Sequence, residues 1–192
     1  MNLKKTMNRL IEILIAIFIM ILIIIPYFFI CLTILIQNDG KILHWSKRIG
    51  KHNKFFFMPK FRTMKKNTPQ LATHLLKDAN SYITFSGSFL RKTSLDEIPQ
   101  IYSVLRGHMS LVGPRPALYN QYDLIEARTA KGIDALKPGI TGLAQINGRD
   151  ELSISEKVKF DSIYLSNKSL FFDIKIIFHT LKKVFINKNV SH

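Results

Sequence analysis

A mostly helical α+β fold held on a membrane is the class this 192-residue chain predicts, and three observations carry that prediction. Residues 10 to 36 are a nearly continuous apolar run. Residues 41 to 66 interleave basic and aromatic side chains in the short alternations of strands or of an interfacial loop. Farther on, residues 69 to 80 and 116 to 131 have helical character, and 153 to 166 and 168 to 187 repeat apolar residues at three- and four-residue spacing. This length supports one core and would crowd a second domain.

The first element runs from Leu10 to Ile36 and is broken only by Glu12 near its start and Pro26 near its centre. About 20 apolar residues cross a bilayer as a helix, so a simple span is the default. Two features point instead to a re-entrant helix. Pro26 has no N–H and its ring crowds the preceding turn, which breaks a helix near the middle of the run. Lys4, Lys5 and Arg9 precede the run, while Lys41, Lys47, Arg48, Lys51 and Lys54 follow it. Because such cations favour the cytoplasmic side, both ends are expected there. A cleaved signal peptide fits poorly, since the run exceeds an h-region of about 7–15 residues. Gln37-Asn38-Asp39-Gly40 then reads as the turn that ends the helix, not as a cleavage site.

His44, Trp45, Phe55, Phe56, Phe57 and Met58 come next, in the composition of a membrane–water interface. The same mixture stacks on single-stranded nucleic acid, but the adjacent membrane segment favours the interface. In the last helix Leu170, Phe171, Ile174, Ile177, Phe178, Leu181 and Phe185 share a face, away from Lys175, Lys182 and Lys183. That face either lies on the bilayer surface or packs on a core.

A net charge of +15 and a pI near 10.0 call for a polyanionic partner: nucleic acid, an anionic membrane surface or phosphorylated substrates. Cys31 is the sole cysteine, which excludes an intramolecular disulfide and a cysteine metal cage. It sits in the apolar run, where it reads as a small hydrophobe. None of His44, His52, His74, His108 and His179 has the spacing of a metal-binding motif.

The chemistry concentrates at Arg91-Lys92-Thr93-Ser94-Leu95-Asp96-Glu97-Ile98-Pro99-Gln100. Ser94 and Glu97 have capping-box spacing, but Pro99 would fall where such a helix already needs a donor, so a start nearer Pro99 is equally plausible. Either start puts Asp96 and Glu97 near a helix N-terminus, which is expected to keep Asp96 ionised and nucleophilic. A second carboxylate beside it suits magnesium, a hard cation that shares carboxylates with substrate phosphates. Phosphoryl transfer needs neutralising cations, and Arg62, Arg91, Arg115 and Arg149 all lie in Gly- or Pro-punctuated contexts. The loop from Lys137 to Arg149 suits close approach by a nucleotide or sugar, though it lacks P-loop or dinucleotide-fingerprint spacing.

Taken together, Lys60-Phe61-Arg62-Thr63-Met64, the Arg91–Gln100 stretch, Leu105 to Pro116 and the Lys137–Arg149 loop resemble the bacterial sugar transferase family, the monotopic polyprenyl-phosphate phosphoglycosyl transferases. The resemblance covers nearly the whole chain. It implies a compact, mostly helical mixed fold with interfacial amphipathic helices. Residues 1–40 would be a re-entrant membrane helix broken near Pro26, and residues 41–192 a membrane-associated catalytic domain on the cytoplasmic face of the bacterial inner membrane. It also implies a ping-pong reaction. Asp96 attacks the sugar-linked phosphate of a UDP-sugar, UMP leaves, and polyprenyl phosphate takes the sugar phosphate from the carboxylate. By the same resemblance Asp96 and Glu97 are the catalytic pair, with Glu97 expected to help bind Mg2+. Arg91 and Arg115 are expected near phosphate, Arg149 near the nucleotide, and no nucleic acid partner is expected.

Four segments depart from the family pattern: Ile25-Pro26 stands where many members have Ser-Pro, Glu12 where they have an early aspartate, Leu143 where they have a tryptophan, and Gly40-Lys41-Ile42 where a Gly-Pro-Val-like segment often follows the membrane helix. Two other readings stay open on the residues alone. A basic membrane-anchored binding protein would not need Asp96, and an ordinary glycosyltransferase would release UDP instead of UMP.

Overall fold

A computed structural model describes residues 3–37, 41–65, 68 and 79–186. Helix α1 spans Leu3–Leu22 and α2 spans Ile24–Gln37, with a 61° bend between them. No single helix among the described residues is long and apolar enough to cross a membrane, but the bent pair has the length and composition of a broken span or re-entrant loop. The bend falls at Ile23, three residues before the proline. Pro26 thus occupies the first turn of α2, where its missing N–H is least costly. Around the bend the ladder persists, with Ile23 N–H donating to Ile19 and Tyr27 N–H to Ile23. The chain stop expected at Asn38-Asp39-Gly40 lies outside the described residues.

Helix α1 is two-faced even though both faces are apolar. Ala16, 0% exposed, sits in the main core with Ile15, Ile19 and Ile23 beside it, whereas Leu10, Leu14, Phe18 and Ile21 point outward. Polar bonds hold the inner face in place: Glu12 Oε1 accepts the Leu111 N–H at 2.7 Å, and Arg9 donates to the carbonyls of Val104 and Leu105. Arg9 is itself paired with Glu12.

The basic–aromatic stretch forms an antiparallel hairpin, β1 (Leu43–Ile49) with β2 (Phe55–Phe61), in the register Leu43↔Phe61, His44↔Lys60, Ser46↔Met58. Side chains alternate across a strand, so Phe61 faces α2 in a cluster with Ile34 and Leu90, while Lys60, Met58 and Phe56 face the other way. The helix expected over 69 to 80 lies almost entirely outside the described residues. Short helices α3 (Ala79–Tyr82) and α4 (Phe85–Lys92) follow, the latter capped by Thr84, whose hydroxyl accepts the Gly87 N–H. A 3-10 turn at Leu95–Gln100 then runs into α5 (Ile101–Leu105).

Two three-residue strands, β3 (Ser110–Val112) and β4 (Gly139–Thr141), pair in parallel beneath α5. The backbones meet so closely at the end of this pair that a Cβ on Gly142 would stand 2.1 Å from the Gly113 carbonyl oxygen. Helix α6 covers Tyr122–Ala130 only. The expected helix from 116 is therefore shortened: Ala117 and Leu118 extend alongside β1, where Ile49 N–H donates to Ala117 and Arg48 bridges Leu118. Helix α7 (Leu143–Ile146) replaces the end of the glycine-punctuated loop. The two C-terminal helices are where their periodicity placed them: α8, Ile154–Asn167, begins with a full Ser153–Glu156 capping box, and α9 is Leu170–Ile186.

In α9 the expected apolar face divides. Leu170, Phe171, Ile174, Phe178 and Leu181 are exposed, Phe171 at 80%, and Ile177 is half-buried. Phe172 and Ile176 face the core instead. The Phe185 side chain lies outside the described residues. Outward aromatic side chains also occur on α4, where Phe85 is 93% exposed, and on the hairpin at Trp45, Phe55 and Phe57. Exposed aromatic and aliphatic side chains thus recur on α1, α2, α4, α9 and the hairpin.

Candidate active site

The turn from Leu95 to Gln100 carries the carboxylate pair, and its entry is unusual. Ser94 has φ 56°, in the left-handed region, and makes no capping bond. The capping-box reading therefore fails, and Glu97 turns inward instead of back to its own turn. Six residues of 3-10 turn also supply little dipole, so the stabilisation of Asp96 expected from a helix N-terminus is not provided. Both acids are 6% exposed.

Three cations converge on one oxygen. Glu97 Oε1 accepts from Lys60 Nζ at 2.9 Å, from Arg149 at 2.9 Å and from Arg115 at 3.2 Å. Each cation comes from a different element: Lys60 from β2, Arg115 from the loop after β3, and Arg149 from a turn after α7, itself at φ 54°. Arg149 also donates to Ser94 Oγ, tying that turn to the acid pair. Arg91 is more peripheral; its Nε donates to Thr63 Oγ1, while its charge acts on Asp96. Arg62 lies one residue past β2, its backbone N–H on the Ile42 carbonyl, and its charge acts on His44. Pro26 is far away in sequence and belongs to the bent helices alone.

Environment separates the two carboxyls. Burial pushes Glu97 up, but Lys60, Arg115 and Arg149 outweigh it and hold the group well below the usual carboxylate range. Burial also pushes Asp96 up; Lys60 opposes, Glu97 adds to the rise, and Arg149 and Arg91 offset too little to reverse it. Asp96 Oδ1 is buried with no hydrogen-bond partner. A fixed anion thus stands beside a more basic carboxylate with one unpartnered oxygen, the kind of difference in environment by which two neighbouring acids can take different roles.

Arg115 is held at its backbone. Its carbonyl accepts from Arg128, whose Nε and second terminal nitrogen grip Asp161 Oδ2 at 2.9 and 2.7 Å. Asp161 is 1% exposed on α8, and Tyr164, one turn later, donates to the Val112 carbonyl and to Asp173 of α9. Pro114 O accepts from Gly139 N–H, and Pro116 O from Arg48. The bonds to the carbonyls of Pro114, Arg115 and Pro116 restrain the loop that aims Arg115, and the Asp161 grip on Arg128 holds one of their donors.

Sequence reasoning did not assign Lys60, Arg48, Arg128 or Asp161. The first two carried a readable signal: His44, Ser46 and Arg48 alternate along β1, and β2 pairing puts Lys60 beside them. Arg128 and Asp161 carried none, because two helices must pack before they meet.

Among the described residues no group of three or more His, Cys, Asp or Glu side chains could hold a metal alone. The pair still suits magnesium, which takes one or two carboxylates and fills its shell with water and substrate phosphate. Asp96 Oδ1 lacks a protein partner, and the cations on Glu97 all meet at Oε1.

Residues 3–187 match the family model described as bacterial sugar transferase. The uncharacterized sugar transferase EpsL of Bacillus subtilis is 35% identical over 185 residues, covering 96% of this chain and 90% of EpsL. The undecaprenyl-phosphate galactose phosphotransferase of Salmonella typhimurium is 39% identical over 166 residues, covering 77% of this chain and 34% of that protein. The UDP-glucose:undecaprenyl-phosphate glucose-1-phosphate transferase of Escherichia coli is 42% identical over 168 residues, covering 83% and 36%. The chain thus spans about a third of the length of the latter two relatives.

Proposed function

Because the chain belongs to the bacterial sugar transferase family, we propose that it transfers a sugar 1-phosphate from a UDP-sugar to undecaprenyl phosphate, initiating polysaccharide synthesis on a lipid carrier. The observation that carries this reading is Asp96 Oδ1, a buried carboxylate oxygen without a protein partner, set beside the cations gathered on Glu97.

The reaction runs in two displacements. Asp96 attacks the phosphorus that bears the sugar, an acyl phosphate bond forms, the diphosphate P–O bond breaks, and its electron pair leaves on UMP. The lipid phosphate then attacks the same phosphorus, giving polyprenyl diphosphate-sugar and freeing Asp96. A raised pKa favours the first step, since a more basic carboxylate is the stronger nucleophile. Glu97 stays charged, holding Lys60, Arg115 and Arg149 where the phosphate oxygens lie, while the charge of Arg91 acts on Asp96. Glu97 would be the residue to help hold a magnesium ion, and such an ion would supply charge neutralisation for the phosphates.

The bent α1–α2 pair enters and leaves the bilayer on one side, with cations at both ends. The outward faces of α4, α9 and the hairpin lie in the interface on the cytoplasmic leaflet, where anionic lipid meets the basic surface. Nucleotide release from nanodisc-held protein, given UDP-sugars, undecaprenyl phosphate and magnesium, tests this reading. UMP formation that disappears in Asp96→Asn is expected; UDP, or UMP formed without need of Asp96, overturns it.

A further inference from the structure

Thr63 lies two residues past β2 and is 6% exposed. It meets α4 at two levels. Its carbonyl accepts from the Thr84 N–H at 3.0 Å and from the Thr84 hydroxyl at 3.3 Å, and Thr84 in turn caps the helix. Within the first turn a Cβ added to Gly87 would stand 2.1 Å from the same carbonyl oxygen, so backbone lies directly on backbone there. Arg91 is four residues beyond Gly87 and therefore shares its face of the helix. Its Nε reaches the Thr63 hydroxyl at 3.0 Å. A single residue after the hairpin thus holds α4 at its cap by main chain and at its last turn by side chain.

The kind of acceptor matters. Lys60, Arg115 and Arg149 each place a bond on the Glu97 carboxylate. Arg91 does not: among the described residues no carboxylate lies within ion-pair distance of its guanidinium, and its bond goes to the neutral Thr63 Oγ1. A hydroxyl fixes the direction of an N–H without neutralising the cation. Because the guanidinium is planar, fixing Nε also fixes the two terminal nitrogens, the edge that takes a phosphate through parallel bonds. Two linked turns carry the chain from this arginine to the acid pair: Ser94 N–H donates to the Arg91 carbonyl at 3.1 Å, and Glu97 N–H to the Ser94 carbonyl at 3.2 Å.

We propose that Thr63 is a positioning residue for the reaction: its hydroxyl aims the Arg91 fork at the phosphate undergoing transfer and leaves the whole charge of Arg91 to that phosphate. The proposal rests on the reading of the reaction given above and adds to it a residue that touches no substrate.

The test is a double-mutant cycle on UMP release from nanodisc-held protein, with kcat/KM for the UDP-sugar measured in wild type, Thr63→Val, Arg91→Ala and the pair. Hydrogen bonds to charged groups are strong enough that Thr63→Val is expected to lower kcat/KM about tenfold, and Thr63→Ser to restore most of it. In the Arg91→Ala background the same change should lower it less than about twofold, because the group through which Thr63 acts is gone. Equal losses in both backgrounds overturn the proposal, since Thr63 would then act through the packing of α4. Unchanged kcat/KM in Thr63→Val, or a Thr63→Ser no better than Thr63→Val, also overturns it and leaves the transferase reading intact. Arg91→Lys keeps the test decisive if Thr63→Val folds poorly. It retains the charge without the planar fork, so a loss of at least about tenfold is expected, and full activity in Arg91→Lys overturns the proposal. Absence of UMP release from the wild type overturns the transferase reading and this proposal with it.

Discussion

Replacing Asp161 with Asn isolates the support beneath Arg115 from the reacting groups. Asp161 is 1% exposed, and its Oδ2 takes two bonds from Arg128, at 2.9 and 2.7 Å. Burial raises the Asp161 carboxyl in spite of Arg128, so the intact pair gains little net stability from being charged. Removing one partner is different, because Arg128 would stay buried without its counter-charge, a loss of about 3–5 kcal/mol. For a chain of this size about 2–4 °C accompanies each kcal/mol, so the melting temperature should fall by roughly 6–20 °C. A companion double variant, Asp161→Leu with Arg128→Met, should melt well above the single one, since an apolar pair of similar size is tolerated. It should still turn over slowly, because the Arg115 carbonyl has then lost its donor. Thermal unfolding in nanodiscs and UMP release read the two effects separately. An Asp161→Asn protein melting within about 2 °C of wild type would refute the reasoning, as would a double variant with full activity.

Asp96→Asn should abolish UMP release and melt at or slightly above wild type, because burial disfavours the charged carboxyl. A raised acid means that the native state binds its proton more tightly than the unfolded chain, so this group's contribution to stability rises as pH falls through the folded-state value. For activity the sign is opposite: the first displacement needs the carboxylate, so a stopped-flow pH profile should show an acid limb above the ordinary aspartate range, and a limb at that range contradicts it. Gly142→Ala should destabilise by at least about 1–3 kcal/mol, since the added Cβ meets the Gly113 carbonyl oxygen at 2.1 Å; denaturant melts check this. Glu12→Ala should cost about 1–3 kcal/mol by leaving the Leu111 N–H unpaired, and hydrogen exchange at Leu111 should quicken.

The sequence made the acid pair visible because Asp96 and Glu97 are neighbours, and neighbours need no fold to be near each other. Periodicity likewise found α8 and α9, whose repeats are long. It failed at α4, eight residues interrupted by Gly87, and at the start of α6, where pairing of Ala117 with β1 overrode helical character. The distinction between the two carboxyls was invisible for a different reason. A local rule predicted an ionised Asp96 at a helix start, whereas its state follows from burial and from cations arriving from β2 and from the turn after α7. Arg48 was counted among flanking charges because only strand pairing turns it inward.

The bonds from α1 to the strand beneath the active site have a mechanical meaning. Glu12 grips Leu111 directly, and Arg9 grips the carbonyls of Val104 and Leu105, at the end of the helix that continues the Asp96 turn. An anchor joined in this way cannot swivel like a tether on a flexible stalk. Under the proposed reading it would act as a depth gauge: wherever a bilayer set α1, the Asp96 carboxylate would be set at a constant height above it. In that reading a long lipid whose phosphate travels in the headgroup plane would meet the carboxylate by lateral diffusion alone, with no need to be lifted from the membrane.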